Sequence, residues 1–100
     1  MTTPALLTDD EIATRLAGGD WRLEDEMIVR DLEFEDFAAA IAYIDRVAAV
    51  AETHNHHPDM LIHGWNKVKL SLTNHAAGGL TEIDFDMAAR FDALVGQTAA

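Results

Sequence analysis

Apolar side chains recur at Phe37, Ile41, Ile44, Ala48 and Ala51, the i, i+4, i+7, i+11, i+14 spacing of a single helix face. A helix from Phe37 to about His54 is about 27 Å long at the usual rise per residue. It is the strongest helical signal in the chain, and the rest of the fold has to cover its apolar stripe. Asn55 and Pro58 terminate it, and His57 is pushed out of helical geometry by the proline that follows. In 100 residues, nearly half of them apolar, there is room for one domain, 1–100, with one modest core.

Shorter elements flank the helix. Thr8-Asp9-Asp10-Glu11 reads as a capping box, with Leu7 and Ile12 as the hydrophobic staple around it. Ile12 and Leu16 give a short apolar stripe, and Gly18-Gly19 ends it. Trp21 and Leu23 alternate with Arg22 and Glu24, and Ile28, Arg30, Leu32 and Phe34 share a parity, so a hairpin turning at Asp25-Glu26 is expected. After the long helix, Met60–His63 reads as a short strand broken by Gly64. Lys67–Thr73 reads as a strand with Val68, Leu70 and Leu72 on one face and Lys67, Lys69, Ser71 and Thr73 on the other. Ala76-Ala77-Gly78-Gly79 makes a turn. Thr81-Glu82-Ile83-Asp84 is a second capping box, stapled by Leu80 and Phe85, and it opens a helix with Ile83, Met87, Phe91 and Leu94 or Val95 inward, fraying at Gly96. The order α-β-β-α-β-β-α predicts an α+β fold, a four-stranded antiparallel sheet with three helices on one face. A free sheet edge invites a partner subunit.

Charge and composition exclude several functions. A formal net charge of −11 disfavours nucleic acid and anionic membrane surfaces, both of which select clustered Lys and Arg. Without cysteine there is no disulfide framework, thiolate metal site or Cys nucleophile. No basic segment leads into an apolar run at the N-terminus, and no stretch approaches a membrane span, so a soluble, cytoplasmic protein is expected.

The chemistry concentrates in Thr53-His54-Asn55-His56-His57-Pro58-Asp59, where three of the five histidines fall within four positions. One reading is a metal site: His54 and His56 have H-x-H spacing, and His57 or His75 could be the third ligand. That motif is loose, and a helical His54 would point away from His56. A second reading is proton transfer, since imidazole gives and takes protons near neutrality; His56 or His57 on one side of a small substrate and His75 on the other would suit a reaction with one proton delivered and one removed. A third is solvated histidines complementing a helix C-terminus. Asp84 is explained equally by helix capping, Glu52 by a solvated helix surface, Lys67 and Lys69 by an exposed strand face, and Trp21 and Trp65 by partial core or interface.

Taken in order, Glu52, His56-His57-Pro58, Trp65, Asn66-Lys67-Val68, His75 and Gly79-Leu80-Thr81-Glu82 with Asp84 resemble the pterin-4a-carbinolamine dehydratases. Leu7-Thr8, Gly19-Asp20-Trp21 and Phe34-Glu35-Asp36-Phe37 extend the resemblance over nearly the whole chain. It implies the fold read above, dimers or tetramers, and loss of water from 4a-hydroxytetrahydropterin to give quinonoid dihydropterin in tetrahydrobiopterin recycling, with no metal and no cofactor. The implied catalytic set is His56, His57, His75 and Asp84. The implied substrate-binding set is Glu52, His57, Pro58, Asn74 and His75. Within these, His56 and His75 are expected as the proton-transfer pair, His57 as the residue that holds the pterin ring, and Asp84 (placed near His75 by the resemblance) or Glu52 as the acid that orients an imidazole. Two departures are Met60, where an aromatic is frequent, and an extra residue at His63-Gly64.

The same resemblance carries a second expectation, a non-catalytic dimerisation cofactor or coactivator-like partner protein, with a hydroxylase or another protein as partner. The long helix would then use Ala39, Ala40, Tyr43 and Val47, which lie off its main stripe, as the interface.

Overall fold

A computed structural model describes residues 4–96; the ends of the expected span 1–100 lie outside the described residues. Helix α1 is Asp9–Leu16, followed by β1 (Arg22–Glu24), β2 (Met27–Glu33), α2 (Phe37–His54), β3 (Asp59–His63), β4 (Lys67–Leu72) and α3 (Glu82–Leu94). The strands form one antiparallel sheet in the order β1, β2, β4, β3. The α+β architecture and the α-β-β-α-β-β-α order are those expected, and element ends shift by a residue or two.

Strand parity decides the layers. Ile28 is opposite Leu72, Arg30 opposite Leu70 and Leu32 opposite Val68. Directly opposed residues of an antiparallel pair project to the same face, and Ile28, Val68, Leu70 and Leu72 are fully buried. Asp31 opposite Lys69 and Glu33 opposite Lys67 lie on the other face, where Arg22 pairs with Asp31 and Lys69 with Glu24. Arg30 projects into the apolar layer and is held there by Asp92 of α3, with Asp20 at 3.6 Å. Trp21, itself buried, donates its Nε1–H to Asp92 at 2.8 Å. A guanidinium in a core needs such partners, because an unpaired buried charge is strongly unfavourable.

Two helix faces differ from expectation. The stripe that α2 buries is Ala40, Tyr43, Val47 and Ala51; of these only Ala51 lies on the stripe expected to face inward. Phe37 and Ile41 are 54% and 37% exposed. Both stripes are apolar, so periodicity alone does not choose between them. Ala40 permits close approach, and Tyr43 adds a specific anchor: its hydroxyl donates to the Phe91 carbonyl at 3.0 Å and its ring packs against Phe34 with centroids 5.1 Å apart. In α3 Met87 and Phe91 face inward as expected, joined by Asp84 and Ala88, while Ile83 is at the surface. The buried face is turned so that an acid lies in line with the core residues. Of the two tryptophans, Trp21 belongs to the core and Trp65 is 61% exposed at the β3–β4 turn.

Candidate active site

The end of α2 sets the histidine geometry. Asn55 takes a left-handed conformation, φ 50° and ψ 42°, which Asn tolerates better than most residues. The His56 N–H reaches back to the Ala51 carbonyl at 3.1 Å, the long bond of a Schellman closure. His54 is the last helical residue, and Pro58 leads the chain into β3. This abrupt turn sends the next two imidazoles to different acids.

His56 points inward. Its Nε2 lies 2.7 Å from Asp84 Oδ1, with 14% of the His56 side chain and none of the Asp84 side chain exposed. Asp84 is the third residue of α3, where the helix dipole favours a negative charge. Its other oxygen, Oδ2, accepts the Thr81 backbone N–H at 2.8 Å and the Thr81 hydroxyl at 3.3 Å. With the ring proton placed on Nε2, all three partners donate to the carboxylate, as a buried acceptor requires.

His57 points outward. Its Nε2 lies 2.8 Å from Glu52 Oε1, and both side chains are largely exposed. Each of the two adjacent histidines therefore has one ring nitrogen on a carboxylate, one pair buried and one solvated.

His75 follows β4. Since Asp59 is opposite Ser71, the antiparallel register carries residues 56 and 57 to the end of the sheet from which residues 73–75 emerge. The turn bearing His75 is built on Asn74: Asn74 N–H donates to the Gly79 carbonyl at 3.1 Å, Gly78 N–H donates to the Asn74 carbonyl at 2.9 Å, and Ala77 N–H donates to Asn74 Oδ1 at 3.1 Å. Asn74 is buried and His75 exposed. A cavity of about 400 Å³ opens beside His75, lined also by Asp25 and Glu26 of the β1–β2 turn and by Met27 at the start of β2; its volume is within the size range of small-molecule sites, and His56 and His57 do not line it.

The expected residues thus fall into three groups. His56 and Asp84 are bonded, His57 and Glu52 are bonded, and Asn74 and His75 form a turn at the same end of the sheet. Asp84, which the resemblance places near His75, is bonded to His56. The H-x-H reading separates, because His54 belongs to the helix and His56 to the turn. Among the described residues no group of three or more His, Asp or Glu side chains is arranged to hold a metal ion. Thr81 is a further member of the constellation. Its sequence signals are the capping box and its place in the Gly79-Leu80-Thr81-Glu82 stretch of the resemblance, neither of which assigns its side chain a role at the site.

The family model for pterin 4 alpha carbinolamine dehydratase matches residues 5–94. A protein of Chloroflexus aurantiacus, with the provisional name pterin-4-alpha-carbinolamine dehydratase, is 50% identical over 91 residues, covering 90% of this chain and 97% of its own. A provisionally named counterpart from Acidobacterium capsulatum is 48% identical over 92 residues, covering 91% and 99%. The crystal structure of a transcriptional coactivator/pterin dehydratase from Brucella melitensis superposes with a TM-score of 0.84 at 33% identity, covering 90% of this chain and 98% of that one. A pterin dehydratase-like protein identified as a RuBisCO assembly factor in the alpha-carboxysome matches with a TM-score of 0.65 at 28% identity, covering 81% and 95%.

Proposed function

Because the chain belongs to the pterin 4 alpha carbinolamine dehydratase family, we propose that it removes water from 4a-hydroxytetrahydropterin to give quinonoid dihydropterin, with His56 and His75 handling the protons and His57 holding the pterin ring. The observation that carries this reading is the bond between His56 and a fully buried Asp84. A carboxylate on one ring nitrogen fixes the ring's orientation and tautomer and leaves the other nitrogen, Nδ1, to work at a substrate.

The reaction needs little more than that. The C4a–O bond breaks, the oxygen gains a proton and leaves as water, and the proton on N5 departs as the C4a–N5 double bond forms. One imidazolium and one neutral imidazole satisfy both transfers, and such help contributes about 10²- to 10⁴-fold. In this proposal His56 and His75 transfer the protons, His57 holds the ring with Glu52 behind it, Pro58 directs the chain past it, and Asn74 acts by fixing the turn of His75. The reaction is C4a–O cleavage with one proton delivered to the leaving oxygen and one removed from N5, with no change of oxidation state, and the proposed route uses only imidazoles for these transfers. The product feeds tetrahydrobiopterin recycling in the cytoplasm, and the described residues include no helix long and apolar enough to cross a membrane.

The test is the dehydration rate of 4a-hydroxytetrahydropterin, coupled to a hydroxylase, for wild type, His56→Ala, His75→Ala and a chelator-treated sample. Acceleration that survives the chelator and collapses in both variants is expected. A wild-type rate no faster than the spontaneous one would reject the reading.

A second reading is favoured by the outward stripe of α2. Phe37 and Ile41 are exposed, an unusual place for two large apolar side chains one helical turn apart, and they support self-association into dimers or tetramers or a scaffold role with a protein partner. The Brucella melitensis structure carries both descriptions, coactivator and dehydratase. Histidine variants that lose catalysis but keep the assembly size would separate the two roles.

A further inference from the structure

We propose that Thr81 is a positioning residue for the reaction: its side-chain hydroxyl locks the Asp84 carboxylate in the one orientation that aims Oδ1 at His56. This rests on the dehydratase reading and adds to it a residue whose side chain does not meet the substrate.

The chain contains the same helix-starting motif twice, and the comparison between the copies carries the inference. At α1, Glu11 Oε1 accepts the Thr8 N–H at 2.9 Å, and Thr8 Oγ1 accepts the Glu11 N–H at 3.2 Å. That box is exposed, and its one function is to satisfy the free N–H groups of a helix end. At α3, Asp84 occupies the position of Glu11, with a side chain shorter by one methylene. Thr81 and Asp84 are both fully buried. Here the hydroxyl donates to the carboxylate, at 3.3 Å from Oδ2, beside the backbone N–H at 2.8 Å. The second oxygen is committed to His56.

Helix capping alone does not require this burial, nor a hydroxyl that donates. Without the hydroxyl, the carboxylate keeps one contact at each oxygen, the Thr81 N–H on Oδ2 and His56 on Oδ1. The hydroxyl is a third contact, longer than the other two, and in this proposal it narrows the remaining rotation about Cβ–Cγ and so the direction of Oδ1. Away from water the hydroxyl hydrogen has to find an acceptor, and Asp84 Oδ2 lies within reach of it. The backbone beneath is also held: Leu80 is buried, and its carbonyl accepts the Leu7 N–H at 2.9 Å from the segment preceding α1. Thr81 therefore presents its hydroxyl from a fixed frame.

The experiment compares wild type, Thr81→Val and Thr81→Ser. Valine keeps the shape and removes the hydroxyl; serine keeps the hydroxyl. Two quantities are read: kcat and KM for 4a-hydroxytetrahydropterin dehydration, and the NMR signal of the His56 ring N–H proton in ¹⁵N-histidine-labelled protein, which the buried carboxylate should protect from exchange. Thr81→Val is expected to lower kcat roughly 10-fold, in line with the loss of an outer-shell partner, with KM little changed and the His56 N–H signal broadened or lost. Thr81→Ser is expected to restore both. A valine variant with wild-type kcat and an intact His56 signal overturns the proposal, as does a serine variant as impaired as valine. Thr81→Ala gives the same readouts if valine does not fold, and unfolding of both would make Thr81 a folding determinant and overturn the assignment. If wild type shows no dehydration at all, the dehydratase reading falls, while the NMR comparison still decides whether Thr81 holds the His56–Asp84 bond.

Discussion

His56 and Asp84 are 28 positions apart in the chain, and their side chains meet at 2.7 Å. One belongs to the turn that ends α2 and the other to the first turn of α3, so the bond exists only when both helices are seated on the sheet. Folding thus brings the buried carboxylate and the imidazole together in one step.

Replacing Asp84 by Asn tests that relationship with little change of shape. The amide offers one acceptor oxygen where three donors converge, so either Thr81 or His56 loses its partner. A buried donor left unsatisfied costs about 1–3 kcal/mol, and loss of the orienting acid should lower kcat by roughly 10- to 100-fold. Urea unfolding and the coupled dehydration assay measure the two effects; unchanged kcat would mean that Asp84 does not orient the reacting imidazole.

The second pair should behave differently. Glu52 and His57 are 78% and 53% exposed at their side chains, and solvated ion pairs contribute about 0–1 kcal/mol. Glu52→Gln is expected to leave the denaturant midpoint close to wild type and to act mainly on KM, through a less constrained His57. A stability loss comparable with that of Asp84→Asn would contradict this division between a buried and a solvated pair.

Alkaline stability should report on Tyr43, the one tyrosine in the chain. Burial pushes its phenol up to about 12, against about 10 in an unfolded chain. Below about pH 10 both states hold the proton and the contribution is fully present. As pH rises towards 12 the unfolded chain releases the proton first, so stability falls through that window, in the direction that linkage requires. Tyrosinate absorbance should titrate well above pH 10 in folded protein. Tyr43→Phe should lose about 1 kcal/mol at neutral pH with the Phe91 hydrogen bond and should lack this part of the alkaline decline.

Asp92 joins α3 to two other parts of the core, accepting from Trp21 Nε1 and pairing with Arg30. Asp92→Ala strands a guanidinium that is 13% exposed. Because Asp92 is itself partly solvated, the expected loss is about 2 kcal/mol, short of the 3–5 typical of fully buried pairs. Thermal unfolding would measure it, and the emission of Trp21 should shift in parallel. A variant as stable as wild type would show that Arg30 finds Asp20 or solvent at no cost.

Phe37→Ser together with Ile41→Ser removes the exposed apolar stripe of α2 without touching its buried one. If that stripe joins copies of the chain, sedimentation should show a smaller assembly. An unchanged assembly size would place the interface elsewhere, for instance at the free edge of β3.

Much of the fold was legible because its signals are local. The alternation of Val68, Leu70 and Leu72 with Lys67, Lys69 and Ser71 gave the buried face of β4 directly, and the two Thr-led capping boxes located the starts of α1 and α3. The inward faces of the helices were less legible. Residues 37–54 are apolar on more than one side, and Ala40 and Val47 look less like core residues than Phe37 and Ile41 until the sheet and Phe91 are in place to receive Tyr43.

The amino-acid sequence by itself determined the order of the elements, their caps and the stock of imidazoles and carboxylates from which a proton-transfer site can be made. Only the tertiary structure decided which acid serves which histidine, which capping box is buried beneath the site, and which stripe of α2 faces the core. The physical reason is range. Periodicity and capping act between residues up to four positions apart, whereas the His56–Asp84 bond and the seating of Tyr43 on Phe91 join residues 28 and 48 positions apart, and their geometry depends on how whole helices pack.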